Sequence, residues 1–136
     1  RGEYWSAIAG QGATRNGQKL VASKRTQLAG SRVPGDSLAR IDSDLVTVDK
    51  PNSIALRIAM VGADEADLLA TIRWGFEWDI AAATLISREA GAAISDVFGK
   101  PISFNKRDPR AFGLLVTAPA IHAAAIERLA DRAANA

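Results

Sequence analysis

The chain has 136 residues, 48% hydrophobic and 24% charged, with a net charge of +2. This is ordinary globular composition, enough for one domain or most of one. There is no cysteine, so a disulfide framework and a cysteine-held zinc are excluded. No basic block calls for a nucleic-acid polymer, no apolar run approaches the ~20 residues of a membrane span, and no signal-peptide pattern opens the chain. A soluble, cytoplasmic protein is the expectation.

The first residues, Arg1-Gly2-Glu3-Tyr4, contain no Met. Residues 4–9 (YWSAIA) already read as a strand inside a fold, so a piece of a longer polypeptide is expected. Gly10 to Ala13 turns the chain, and Asn16-Gly17 predicts a hairpin whose second strand covers 18–23. Residues 24–50 are polar and irregular, with short strands at 31–33 and 45–48. Pro51-Asn52-Ser53-Ile54 opens a largely buried helix that ends near Gly62, with Ser53 as its N-cap. A short strand follows at 67–72, then a turn at 73–76. A helix over 80–90 is stopped by Gly91. Strands are predicted at 92–97 and 112–117, the latter apolar enough to be central in its sheet. Pro119 opens a last helix over 120–133. Alternating strands and helices predict an α/β protein, a mixed sheet with helices on its faces.

The corner Glu77-Trp78-Asp79 invites chemistry. A carboxylate at a helix mouth meets unpaired N–H groups and the positive end of the dipole. Asp79 is therefore either an N-cap or a ligand for a hard divalent cation. Trp5, Trp74 and Trp78 read as packing aromatics. His122, the single histidine, reads as a surface residue, and residues 106–110 as a solvated loop, with reaching a phosphate from the edge of a pocket as the alternative.

The string EWDIAAATLISREAGAAISDVFGKP carries W-D-x-A-A, then E-A-G, then D-x-x-G-x-P. In that order it resembles the C-terminal signature of the inositol monophosphatase superfamily. Gly10-x-Gly12-Ala13, Asn16-Gly17 and Ser23 resemble the element that precedes it there. The resemblance implies the C-terminal portion of an αβαβα-layered sugar-phosphatase fold, with residues 1–136 a C-terminal domain or fragment. It implies a Mg²⁺-dependent, lithium-sensitive phosphomonoesterase, and it makes Asp79 a metal ligand. The family's Glu-Glu pair and Asp-Pro-x-Asp-Gly-Thr motif do not occur here, so one carboxylate alone is carried over. The implied partners are a small phosphorylated substrate, the missing N-terminal half of the same protein, and a second copy in a homodimer. The isolated chain is expected to be inactive.

Substrate contacts carried over by resemblance fall on Asn52, Ser53 and Ile54. Their alignment depends on whether inositol-type or nucleotidase-type members are used, and the nucleotidase type also brings Arg57. Glu77 matches the E-W-D form common in the nucleotidase branch and in many bacterial relatives, with a solvated acid as its plainer reading. The inositol-type glutamate seven residues before Asp79 is Ile72 here, and the nucleotidase L-Y-P-R after Ala66-Asp67 is absent. The substrate is thus either a small sugar or polyol phosphate or a 3′(2′),5′-bisphosphate nucleotide. A non-catalytic dimerisation or binding module derived from the family is the alternative.

Overall fold

The structure is a computed structural model that describes residues 2–136. Three short strands form an antiparallel meander: β1 (Trp5–Ala7), β2 (Ala13–Arg15) and β3 (Gln18–Lys19). The β2–β3 turn is Asn16-Gly17, with φ of 50° and 81°, the double left-handed turn that matches strand twist. A parallel pair follows, β4 (Arg32–Pro34) and β5 (Val46–Val48), joined through a 3₁₀ turn at Arg40–Asp42.

Next come α1 (Ile54–Gly62), β6 (Leu68–Phe76), α2 (Glu77–Glu89), β7 (Ala93–Ser95), β8 (Arg110–Thr117), a 3₁₀ turn at Pro119–Ile121 and α3 (His122–Ala134). Strands β6, β8 and β7 make an antiparallel sheet with β8 in the middle, where its apolar run predicted it. Alternation along these strands splits their side chains between two cores. Leu69, Leu114 and Val116 pack with Ile58, Val61, Ile80 and Ala83 of α1 and α2. Leu68 and Leu115 face the other way, onto Ile121, Ala125 and Leu129. Helices therefore cover both faces, as expected, and the strands run both parallel and antiparallel. Each fully buried aliphatic side chain in these cores contributes roughly 1.5–3 kcal/mol.

Charged pairs fix the periphery. Asp67 is buried, yet it accepts from the Arg32 backbone N–H at 2.7 Å and from its guanidinium at 2.8 and 3.0 Å. That joins β4 to the start of β6. Two arginine forks tie α3 to the 3₁₀ turn and its exit: Arg132 on Asp42 at 2.8 and 3.0 Å, and Arg128 on Asp44 at 2.6 and 2.8 Å.

One predicted element is corrected. Residues 73–76 are not a turn; β6 continues through them and passes directly into α2. The ladder pairs Thr71 with Leu114 and resumes with Trp74 opposite Phe112, so Ile72 and Arg73 together oppose Gly113. Gly113 has φ of 75°, and a Cβ there would lie 2.4 Å from Val97 Cγ1. Only glycine permits this bulge, which prolongs the strand while re-aiming Arg73. The sequence pattern breaks at 73–76 because the bulge interrupts the period of two.

Candidate functional site

The sharp passage from β6 into α2 creates the site. Phe76 is the N-cap of α2 and offers no side-chain hydrogen bond; Glu77, Trp78 and Asp79 form the first helical positions. Asp79 is therefore not a cap. Its side chain is exposed, and no hydrogen bond or ion pair engages it among the described residues. It opens instead on a cleft of about 290 Å³ walled by Ile54, Trp74, Phe76 and Arg110, among others. Ile54 is the first residue of α1, so both helix N-termini border this cleft, and their dipoles favour an anion there.

The motif residues explain how the corner is held. Glu89 of E-A-G accepts from the Gly12 N–H at 2.9 Å, and backbone N–H groups of the 10–12 turn hold its carboxyl below its ordinary value. The first hairpin is thereby clamped on α2. Gly91, at φ 103°, ends the helix. Asp96 of D-x-x-G-x-P accepts from Phe98 N and Lys100 N at 2.9 and 2.8 Å and shapes the turn before residue 101. These residues are structural; Asp79 alone of the motif is left facing the cleft.

The other expected contacts are distributed unevenly. Ser53 caps α1 by accepting from Leu56 N at 3.1 Å. Ser53 and Asn52 are exposed beside the cleft, and Ile54 lines it. Arg57 folds back onto its own loop, donating to Pro51 O at 2.6 Å and Asn52 O at 2.9 Å. It also lines a second hollow of about 360 Å³, with Lys50, Asp36 and Arg73. Thr71 and Arg73 border both hollows, so the two adjoin at the tail of β6. Arg73 has no ion-pair partner among the described residues. Lys50 pairs with Asp36 at 3.0 Å.

Glu77 is neither solvated nor on the cleft wall. It is 7% exposed, and its carboxylate accepts from Asn105 N at 3.0 Å and Lys106 N at 3.3 Å, with Lys106 Nζ at 2.7 Å. The hydrogen bond from the Lys106 ammonium, joined by the Lys106 and Asn105 N–H groups, outweighs the opposing effect of burial and holds its carboxyl below the ordinary value.

Three further expectations are corrected. Trp74 and Trp78 are not core packing: they are 61% and 66% exposed, with Trp78 stacked on Phe76 at 4.5 Å and Trp74 tilted on Phe112 at 5.4 Å. Residues 106–110 are not merely solvated, since Lys106 holds Glu77 and Arg110 lies over the Trp74 ring at 5.3 Å. His122 is partly buried, with Nε2 2.8 Å from Ser95 Oγ and Nδ1 2.8 Å from Thr117 Oγ1. Burial lowers its pKa. The signal for Arg73 and Arg110 was weak, because nothing in a single sequence marks which arginines reach a cleft.

Among the described residues, no group of three or more histidines or acidic residues is arranged to hold a metal ion. A hard divalent cation takes about six oxygen ligands, so Asp79 fits as one member of a set and cannot suffice by itself. No helix of the described residues is long and apolar enough to cross a membrane.

An α/β sheet covered on both faces, with a lone unpaired carboxylate at the confluence of two helix N-termini, places this chain among α/β proteins whose site is built at helix starts. Residues 1–134 match the Inositol monophosphatase family, and the chain belongs to that family. It is 34% identical over 110 residues to inositol monophosphatase 2 of Rattus norvegicus, covering 68% of this chain and 37% of the relative. It is 30% identical over 120 residues to inositol monophosphatase 2 of Solanum lycopersicum, covering 77% of this chain and 45% of the relative. The solved inositol monophosphatase from Anabaena (Nostoc) sp. PCC 7120 superposes with a TM-score of 0.75 at 24% identity, over 95% of this chain and 54% of that one, and supports the fold. The chain thus spans about half the length of the relatives it matches.

Proposed function

We propose that this chain is the C-terminal part of a Mg²⁺-dependent phosphomonoesterase, and that Asp79 is the carboxylate it contributes to the metal site. The observation that carries the reading is the Asp79 side chain, unpaired on an uncapped helix start and open to a cleft that two helix dipoles make favourable for phosphate. Bound magnesium would neutralise phosphate charge and lower the pKa of a coordinated water. The remaining carboxylates come from the other half of the complete polypeptide, which covers the exposed aromatic rim of Trp74, Phe76 and Trp78. Ile54 and the first N–H groups of α1 bound the phosphate side of the cleft, beside Asn52 and Ser53. Arg57 acts on the second hollow. The family resemblance carries a homodimer and lithium sensitivity with it.

Of the two substrate classes, a phosphomonoester bearing a second anionic group has the better support. Lys50, Arg57 and Arg73 gather in the hollow beside the Asp79 cleft, against the single acid Asp36, and Arg73 is free to pair. A neutral polyol would leave Arg73 without a partner. The complete enzyme with Mg²⁺ is expected to turn over adenosine 3′,5′-bisphosphate with at least ~10-fold higher kcat/KM than inositol 1-phosphate, about 1.4 kcal/mol of transition-state preference. Preference for inositol 1-phosphate would transfer the assignment to the polyol class. Turnover of neither would overturn both.

A further inference from the structure

We propose that Glu77 is a positioning residue for the metal ligand: it locks the first turn of α2 to the loop at 105–109 and so fixes the Asp79 carboxylate. The inference rests on Asp79 being a metal ligand. It departs from the expectation that Glu77 touches substrate.

A helix start without a side-chain cap frays, because its first N–H groups have no partner. Phe76 gives α2 no such cap. The first turn is anchored through Glu77 instead. Its backbone N–H donates to Pro109 O at 2.9 Å, and its carboxylate spans Asn105 N, Lys106 N and Lys106 Nζ. Lys106 is itself fixed by donating to Ser103 O at 3.2 Å. Asn105 sits at φ 61°, a left-handed conformation that asparagine tolerates and that the Glu77 bond holds in place.

Geometry separates Glu77 from the chemistry. Two residues along a helix is a rotation of about 200°, so Glu77 and Asp79 leave α2 on nearly opposite sides. Asp79 lines the cleft with Arg110, whereas Glu77 does not. The same loop ends at Arg110, which Asp108 grips at 3.0 and 3.1 Å. One buried carboxylate therefore sets both the helix start that presents Asp79 and the loop that presents Arg110. Ligand-orienting partners of this kind typically carry 10–100-fold in metal affinity.

The test uses the complete polypeptide. In Glu77→Gln the amide keeps one acceptor but turns an N–H₂ group toward N–H donors and the Lys106 ammonium. Calorimetric Mg²⁺ titration is expected to show affinity about tenfold weaker, with KM for substrate at saturating Mg²⁺ within about twofold of wild type. Lys106→Gln, which leaves both backbone bonds, should weaken Mg²⁺ about threefold by the same reasoning; it serves if Glu77→Gln does not fold. In the double variant with Asp79→Asn, loss of Glu77 should add nothing to the loss of Asp79. A raised KM with unchanged Mg²⁺ affinity would make Glu77 a substrate contact and overturn the proposal. A lowered Tm with unchanged Mg²⁺ affinity would make the latch merely structural and also overturn it. Unchanged Mg²⁺ affinity in Asp79→Asn alone would bring down the metal reading itself, a result separate from any effect at Glu77.

Discussion

Asp67 illustrates what this fold demands of a single residue. Burial alone would raise its pKa, but hydrogen bonds from Arg32 and Ser23 outweigh that and bring it from 3.8 to about 2. A depressed carboxylate contributes stability that is present above pH 3.8 and lost as pH falls through about 2. The contribution is about 2 kcal/mol at neutral pH. Asp67→Asn, which leaves Arg32 only the exposed Asp64 as a charge partner, is expected to lower the unfolding free energy by about that amount at pH 7. The gap from wild type should narrow as pH falls from 4 to 2, read by denaturant titration at each pH. A gap independent of pH would mean that shape, not charge, is what Asp67 supplies. The role was invisible beforehand: Ala66-Asp67 stood out only as the pair that the nucleotidase L-Y-P-R does not follow, while the partner of Asp67 lies 35 positions away on β4. By contrast Ser53 was legible as a cap, because capping is local in sequence.

Among the elements, α1 and α2 set the cleft by crossing closely. A Cβ on Gly62 would lie 2.9 Å from Ser87 Cα and 3.0 Å from Ser87 Oγ, while Ser87 donates to Ile58 O at 2.6 Å. Neither backbone can retreat without breaking that bond. Gly62→Val is expected to cost about 1–3 kcal/mol by overpacking and to tilt α1 relative to α2. Thermal melting should show a Tm several degrees lower, and a wild-type Tm would show that the crossing is looser than described. The sequence carried the helices well, since apolar spacing and Gly91 mark them directly. It misread 73–76, because a bulge opposite a left-handed Gly113 destroys the period of two on which strand recognition depends. It also misread Glu77 and His122, whose partners Asn105, Lys106 and Ser95 lie 27 to 29 residues away in the chain and leave no local pattern.

For the whole molecule, family membership follows from the match over residues 1–134, and the α/β layering agrees with it. The W-D-x-A-A, E-A-G and D-x-x-G-x-P motifs announced the family, yet most of their residues shape α2 and its flanking turns. Asp79 is the exception, and the account turns on it. The direct measurement is kcat of the complete enzyme against Mg²⁺ concentration for wild type and Asp79→Asn, with a melting curve for each. Asn keeps the size of Asp and caps helices about as well, so only the charge is removed. If Asp79 holds the metal, the variant should melt within a degree or two of wild type, require more Mg²⁺, and lose at least ~100-fold in kcat, about 3 kcal/mol of transition-state stabilisation. Near-wild-type kcat with an unchanged Mg²⁺ dependence would contradict the account.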